Sequence, residues 1–387
     1  MNFERCGHTA TVLSNGKVLV VGGDNGDSII AQSELYDPST GNWTIAASPN
    51  VPRNYHTSSL LPDGKVLITG GRSNPGGYLA EAELYDPITN IWTLTDNMHD
   101  SRSWHTASVL PNGKVLVTGG YSSYGFTLSR SESYDPSTGK WTMTGSMYLS
   151  RAYHAATTLP SGKVLVTGAD SLFVQKTAEL HDPSTGNWTR VANMHDGRGY
   201  HTSSLLTNGQ VLVTGGSNIS NFIIERAELY NPSTDTWTKT NSMHAIRANH
   251  QASLLMNGQI LVTGGNAAPG TIDPNAELYN PSTETWTIVD NMHVNRFRHT
   301  ASLLPNGKVL VAGGRNYNHT VVNSAELYDP TTNSLTNADN SFVTAEDRTA
   351  LIFENLQSSH KMLMSANEKV SVIGKENFTT TNNKQLH

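Results

Sequence analysis

A histidine recurs along this 387-residue chain at a nearly constant interval, with spacings of 48, 49, 49, 47, 49 and 49 residues. Each of these histidines follows an arginine by three positions. Such a period argues against the two or three separate domains that length alone would predict, because repeat units stack on their neighbours and share one continuous core. The recurring histidines are His8, His56, His105, His154, His201, His250 and His299.

Each repeat contains four short strand-like segments and almost no helical period. In the third repeat, the first two segments are residues 105–110 and 114–118, joined by Asn112-Gly113. Asn-Gly between apolar segments predicts a hairpin, because both central residues of a type I′ turn need a positive φ. A third segment ends in an Asp-Pro or Asn-Pro turn, and a fourth begins at a Trp-Thr pair. We name these strands A, B, C and D, and they predict an all-β unit.

Three further positions recur in register with the histidine. A double glycine ends strand B, a tyrosine lies on strand C and a tryptophan on strand D. In this order, at a period of about 50 residues, they resemble the kelch repeat. The resemblance covers residues 1–336 and implies an all-β, kelch-type β-propeller of four-stranded blades, seven of them clear. Three positions depart from the pattern: Ala169 replaces a second glycine, His181 a tyrosine and Leu335 a tryptophan.

The domain organisation follows from the repeat. Residues 1–340 are predicted to form the propeller, and residues 341–387 a degenerate eighth kelch-like unit or a closing C-terminal tail. Thr349-Ala350 lies 49 residues after Thr300-Ala301, and Phe378-Thr379 resembles the Trp-Thr pair. A ring of eight blades and a ring of seven with an accessory tail both fit this pattern, and the kelch resemblance favours seven.

Charge and composition exclude several classes of partner. The chain has 26 basic and 32 acidic residues, a net charge of −6, so nothing indicates a nucleic-acid partner. Its longest aliphatic runs have about four residues, whereas a membrane helix needs about 20. The single cysteine, Cys6, allows neither an intramolecular disulfide nor a cysteine-based zinc cluster. With no secretory signal in the sequence, we expect a cytoplasmic protein or a fragment of a longer secreted chain, and a monomer unless it belongs to such a chain.

Residues shared by all repeats are explained first by packing, because every blade must pack in the same way. The recurrent arginine is predicted to pair with a recurrent glutamate, since a buried charge needs a partner. The recurrent histidine and tryptophan are predicted to be structural, the tryptophan between blades. The glutamates are Glu34, Glu83, Glu132, Glu179, Glu228, Glu277 and Glu326.

Residues that differ between repeats indicate function. Variation concentrates in the two residues between Arg and His and in the stretch between strands B and C. In an up-and-down blade the D-to-A and B-to-C connections lie on the same face, and the nearly identical turns lie on the other. Tyr, Trp and Arg are enriched in binding hot spots, so we predict that the variable face binds a ligand near the axis. The candidate residues are Tyr55, Trp104, Tyr153, Tyr200, Asn249 and Arg298.

A second resemblance offers an alternative function. Kelch propellers also form the central domain of galactose and glyoxal oxidases, copper enzymes with a Cys–Tyr cross-link, and Cys6 and Tyr55 resemble that pair in position. The tyrosine expected before His250 or His299 is missing, and residues 337–387 are too short for the domain that supplies the last copper ligand. We therefore predict a non-catalytic module that binds a protein or a glycan, without catalytic residues, metal or cofactor. The alternative is an inactive, oxidase-like protein.

Overall fold

The computed structural model describes residues 1–74, 77–170, 175–218, 220, 222–267 and 275–338. Seven four-stranded antiparallel sheets form a seven-bladed propeller, each built from consecutive strands A to D. The A strands of neighbouring blades contact each other, and that of blade 7 contacts that of blade 1, so A is the inner strand of each blade. These residues contain no helix, and so none with the length and apolarity to cross a membrane.

The strand bounds repeat from blade to blade, in order from blade 1 to blade 7. Strand A spans Thr9–Val12, Thr57–Leu60, Thr106–Val109, Ala155–Thr158, Thr202–Leu205, Gln251–Leu254 and Thr300–Leu303. Strand B spans Val18–Val21, Val66–Thr69, Val115–Thr118, Val164–Thr167, Val211–Thr214, Ile260–Thr263 and Val309–Ala312. Strand C spans Ser33–Asp37, Ala82–Asp86, Ser131–Asp135, Ala178–Asp182, Ala227–Asn231, Asn275–Asn280 and Ala325–Asp329. Strand D spans Asn42–Ala46, Ile91–Leu94, Lys140–Met143, Asn187–Val191, Thr236–Thr240, Thr285–Asn291 and Ser334–Asn337. Blade 2 adds a small hairpin, Arg72–Ser73 with Gly77–Tyr78.

The core lies between blades. Successive side chains of a strand point to opposite faces of its sheet, and in a propeller both faces are covered by neighbours. In blade 2, Val66 and Ile68 pack with blade 1, whereas Leu67 packs with blade 3. Every residue of strand B is therefore buried, which explains why this strand has a continuous apolar sequence instead of an alternating one.

The recurrent tryptophan joins each blade to the preceding one, as predicted. In blade 3, Trp141 packs against Tyr134 with ring centroids 5.1 Å apart, and its indole Nε1 donates to the carbonyl of Asp96 in the D-to-A connection from blade 2, at 2.9 Å. Blades 2 to 6 make this bond, whereas in blade 1 the indole Nε1 of Trp43 has no hydrogen-bond partner among the described atoms. Blade 7 has Leu335 at this position and cannot make that bond. There the backbone N–H of Leu335 donates to the Asp290 carboxylate at 2.7 Å instead.

The predicted arginine–glutamate pair is confirmed in all seven blades. Nη2 to carboxylate distances lie between 2.6 and 2.8 Å, and both side chains are fully buried. In blade 3, Arg102 also donates to the carbonyl of Gly119, and Glu132 accepts backbone N–H groups from His99 and Asp100. Each pair therefore fastens the D-to-A connection to strand C of its own blade.

Close backbone approach explains the first glycine of each pair. Gly119 has a φ of +62°, and a Cβ there would lie 2.4 Å from the carbonyl oxygen of Arg151 in the next blade. Any side chain would push the two blades apart. The first glycine of the pair is therefore a packing requirement between blades.

Blades 7 and 1 close the ring in the same way as the other neighbours. The backbone N–H of Gly314 donates to the carbonyl of Arg5 at 2.8 Å, and His8 Nε2 lies 3.1 Å from Thr300 Oγ1. The expectation of seven blades is confirmed, and Met1–Asp339 forms one compact unit. The predicted eighth unit or closing tail, residues 341–387, lies outside the described residues.

Candidate functional site

A closed ring of backbone hydrogen bonds surrounds the propeller axis at the end of the D-to-A connections. One residue per blade donates its N–H to the carbonyl of the equivalent residue in the preceding blade, at 2.8 to 3.4 Å. All seven have left-handed backbone, with φ between 52° and 61°. This conformation is strained for residues other than glycine, and the ring of bonds holds it in place. We call these residues the axial ring: Gly7, Tyr55, Trp104, Tyr153, Tyr200, Asn249 and Arg298.

The six predicted binding residues are therefore the non-glycine members of one ring. In blades 1 to 6 the first of the two residues between Arg and His is buried, as Ser103 is, whereas in blade 7 Phe297 is only partly buried. The second residue, such as Trp104, is partly buried in every blade. The left-handed turn at the second residue brings its side chain to the axis. The sequence pattern located this position, but not the backbone bonds that fix it.

Four neighbouring ring residues form a continuous aromatic arc over blades 2 to 5. Tyr55 stacks on Trp104 with centroids 4.7 Å apart, Trp104 lies 5.2 Å from Tyr153, and Tyr153 lies 4.2 Å from Tyr200. Aromatic pairs at such distances stabilise each other beyond their buried area. The arc is thus a preorganised apolar surface.

The rest of the ring, over blades 6, 7 and 1, is polar. Asn249 Nδ2 donates to Asn266 at 2.9 Å. The Arg298 guanidinium reaches over blade 1, lies 5.4 Å from the Tyr55 ring centroid and donates to the Tyr55 hydroxyl at 2.8 Å. Gly7 makes this possible, because a Cβ there would lie 2.7 Å from the Tyr55 ring. The axial ring therefore presents an aromatic half and a polar half, joined by Arg298.

The ring tyrosines remain neutral phenols. Burial raises the pKa of Tyr55, and Arg298 partly offsets that rise. Burial also raises the pKa values of Tyr153 and Tyr200, and the nearby Asp170 carboxylate, which accepts the Tyr200 hydroxyl at 2.8 Å, raises that of Tyr200 further. At neutral pH these side chains offer aromatic faces and hydroxyl groups, not phenolates.

A cavity of about 240 Å³ opens at the axis within the ring. Five of the six predicted residues line it, and the buried histidines, among them His56 and His105, contribute to its wall. Tyr200 is not part of the lining; its ring packs against Tyr153 and its hydroxyl donates to Asp170. The cavity is slightly smaller than the roughly 300–1,000 Å³ of typical small-molecule sites.

A second set of variable residues surrounds the ring; it lies in the variable stretch between strands B and C, from which the sequence analysis named no candidate site residue. The residue after the double glycine pairs by an isolated antiparallel bridge with the first residue of the variable pair, as Ser103 does with Tyr121. Tyr121 packs edge-on against Trp104 and Tyr153, both at 5.9 Å. In blade 2, Arg72 lies 5.5 Å from the Trp104 ring centroid. Position alone could have identified these residues, because each is the first residue after the double glycine, or after Gly168-Ala169 in blade 4: Asp24, Arg72, Tyr121, Asp170, Ser217, Asn266 and Arg315.

The side chains near Cys6 and Tyr55 do not form a copper ligand set. Cys6 is fully buried and accepts a hydrogen bond from Arg315 Nε at 3.1 Å, while the Tyr55 hydroxyl accepts one from Arg298. The nearby His56 is bonded through Nε2 to Thr9 Oγ1 at 2.9 Å. Within the described residues, no three His, Cys, Asp or Glu side chains are placed to hold a metal ion. The Arg315 and Arg298 guanidinium groups are positively charged and bond the thiol and the hydroxyl that would have to bind the metal, so they disfavour a bound cation here.

The fold and the sequence repeat together define a kelch-type β-propeller, and the comparison with protein-family models gives the same class. Residues 7–216 match the family model described as the KLHDC2/KLHL20/DRC7 Kelch-repeats domain, and residues 198–244, 247–293 and 296–334 match the Kelch motif. The chain therefore belongs to the kelch-repeat family. A search of curated proteins finds no match.

Solved structures of similar fold include an oxidase. A fungal alcohol oxidase of the AA5 family, solved in complex with copper, is 20% identical with a TM-score of 0.67, covering 83% of this chain and 73% of its own. The protein YjhT is 19% identical with a TM-score of 0.60, covering 74% of this chain and 98% of its own. At these identities the likeness shows the fold alone.

Proposed function

We propose that this kelch propeller is a non-catalytic binding module that holds a protein or glycan ligand on the face formed by the D-to-A and B-to-C connections. The proposed contacts are the aromatic arc from Tyr55 to Tyr200 and the polar groups of Asn249 and Arg298. The arc supplies rigid apolar area, and Arg298 supplies a planar hydrogen-bonding fork at its edge.

The continuous aromatic arc is the observation that carries this proposal. These Trp and Tyr side chains are partly exposed. Apolar surface is costly to leave in water, and Trp and Tyr are residue types that dominate binding energy at interfaces. Exposed aromatic side chains extend the same face beyond the ring, since Tyr124 and Phe126 in the B-to-C loop of blade 3 are 84% and 73% exposed. The opposite face presents nearly the same Pro-Ser-Thr-type turn from each blade, which offers no distinct surface to a specific ligand.

A parallel screen of an immobilised glycan array and a displayed peptide library tests the proposal. The wild-type chain should retain specific members of one collection, and W104A or Y200A should weaken binding by about 30-fold or more, the effect of losing a 2 kcal/mol anchor. Ile88→Ala, at the exposed C-to-D turn of blade 2, is the matched control and should bind normally. Equal binding by W104A, Y200A and wild type would place the site elsewhere.

The oxidase-like alternative makes different predictions. It requires copper uptake, peroxide production with alcohols or sugars, and a Cys6–Tyr55 cross-link that lowers the intact mass by two hydrogens. We expect none of these, because Arg315 and Arg298 occupy the hydrogen-bonding positions of the thiol and the phenol. A mass deficit of two hydrogens after copper treatment would restore the alternative.

A further inference from the structure

Arg298 is the one charged side chain among the described residues that line the axial cavity. Burial raises the pKa of Tyr55 and Tyr153, so both phenols stay protonated at pH 7. Burial also lowers the pKa of each lining histidine well below its ordinary value, so these four are neutral at pH 7: His8, His56, His105 and His299. The described lining of the cavity therefore carries a single positive charge.

No carboxylate of the described residues compensates this charge. The seven buried arginines each pair with a glutamate, and Arg315, beside the ring, pairs with Asp24 at 3.4 Å. Within the described residues Arg298 forms no ion pair, and its side chain makes one hydrogen bond, from Nη1 to the Tyr55 hydroxyl at 2.8 Å. A guanidinium without a counter-ion, placed beside apolar surface, favours an anionic group of the ligand as its partner.

The Arg298 side chain is fixed in position and keeps unused donors. Its backbone is left-handed, with a φ of 54°, and its guanidinium packs against the rings of Tyr55 and Phe297, 5.4 and 6.0 Å from their centroids. The guanidinium nitrogens that make no bond keep solvent access. Because the Tyr55 hydroxyl accepts from Arg298, its own hydrogen is left to donate. The two side chains thus offer a preorganised set of donors to an anion in the cavity.

The rest of the lining favours a sugar ring as the carrier of that anion. Asn249 and Gln251 contribute amides that donate and accept, and Asn249 uses one N–H for Asn266. Trp104 and Tyr153 contribute aromatic rings, whose negative faces attract the slightly positive C–H groups of a sugar. The hydroxyl groups of a sugar would bond the two amides, whereas an acidic side chain of a peptide offers only its carboxylate. The lining therefore fits an acidic sugar better than an acidic peptide.

We propose that the axial cavity binds a hexuronate residue of a glycan, with its carboxylate bonded to the Arg298 guanidinium and the Tyr55 hydroxyl. The cavity, at about 240 Å³, accommodates one sugar residue, and the exposed loops around the axial ring would contact the rest of the glycan. This inference rests on the proposed function of the axial ring and specifies the ligand.

Ligand-observed magnetic resonance titrations of the wild-type protein test the proposal with two matched pairs of sugars. D-glucuronate is compared with D-glucose and D-galacturonate with D-galactose, so that each pair differs by the carboxylate at C6. At least one uronate should bind about tenfold or more tightly than its neutral partner, the effect of a hydrogen bond to a charged group. Glutarate, a carboxylate without a sugar ring, should bind more weakly than that uronate. Uronates that bind no better than the hexoses, or no better than glutarate, would overturn the proposal.

A pair of charge-matched variants assigns the preference to Arg298. R298Q removes the charge and keeps an amide, so it should reduce the affinity for the uronate to that for the hexose. The control is R190Q, because Arg190 is an exposed guanidinium 5.0 Å from the Tyr148 ring centroid on strand D of blade 4, the outer strand. R190Q lowers the net charge equally and should keep the preference. Equal loss of the preference in both variants would contradict a site at Arg298, and the wild-type titrations decide the proposal without either variant.

Failure of this inference is distinguishable from failure of the proposed function. If the library screen selects a neutral glycan or an acidic peptide that requires Trp104, while the uronates show no preference, the axial ring is the binding site and a hexuronate is not its ligand. Uronate binding that W104A leaves unchanged would contradict both, because the uronate would then bind away from the axial ring.

Discussion

Seven equivalent ion pairs are buried from solvent, and each is held by further hydrogen bonds to the guanidinium and the carboxylate. The Arg102 guanidinium meets Glu132 and the carbonyls of Gly119 and Arg130. Burying two charges is costly, and these additional hydrogen bonds offset part of the desolvation penalty. The pair therefore contributes most by forcing the D-to-A connection, and with it the axial ring residue two positions later, into one conformation.

Arg102→Met should lower the free energy of unfolding by about 3–5 kcal/mol, because it leaves the Glu132 carboxylate buried without its cation. The double change with Glu132→Gln should cost less than the two single changes added together, since the residues are in direct contact. Denaturant titration measures both. The control is Arg130→Ala, which breaks only the exposed pair with Asp100 and should cost less than about 1 kcal/mol. If the double change lowered the free energy of unfolding by the sum of the two single changes, the energetic coupling between Arg102 and Glu132 would be contradicted.

Each blade is tied to its neighbour through the histidine that precedes strand A. His105 Nε2 of blade 3 lies 3.1 Å from Thr57 and 3.2 Å from Thr69, on strands A and B of blade 2. Burial lowers the pKa of His154 and His250 to about 3, and that of His105 well below its usual value. The seven blades are therefore joined by side chains that must stay neutral, a property that the sequence period alone could not reveal.

Acid should unfold the propeller through these histidines. The folded-state pKa lies below the unfolded value of about 6.5, so the unfolded chain binds more protons between about pH 6.5 and 3. Stability is fully present above pH 6.5 and falls as the pH drops through that window, by up to about 1.4 kcal/mol per pH unit for each histidine. Thermal melts from pH 8 to 4 measure this pH dependence. H105Q keeps a neutral donor at the same position, so it should reduce the number of protons taken up on unfolding by one, and with it the slope of stability against pH. A melting temperature independent of pH over this range would contradict the mechanism.

At the scale of the whole molecule, the sequence predicted most of the fold and the location of the candidate site. Short-range signals such as Asn112-Gly113 and the period of 49 residues determine strands, turns and blade number. The sequence did not predict the hydrogen-bonded ring or the contribution of Tyr121, because these depend on backbone bonds between blades and on a bridge from Ser103 across 18 residues. Nor did it show that Tyr200 stays outside the cavity lining, with its hydroxyl bonded to Asp170 of the B-to-C connection.

The central claim is that residues shared by all blades hold the propeller together, whereas residues that differ around the axis bind the ligand. Hydrogen–deuterium exchange, with and without a saturating ligand from the screen, tests it most directly. Binding should slow exchange in peptides that cover the axial ring and the B-to-C loops around Tyr121 and Arg72, and leave the C-to-D turns unchanged. Protection confined to the C-to-D turns, with unchanged exchange in the axial ring, would contradict the claim.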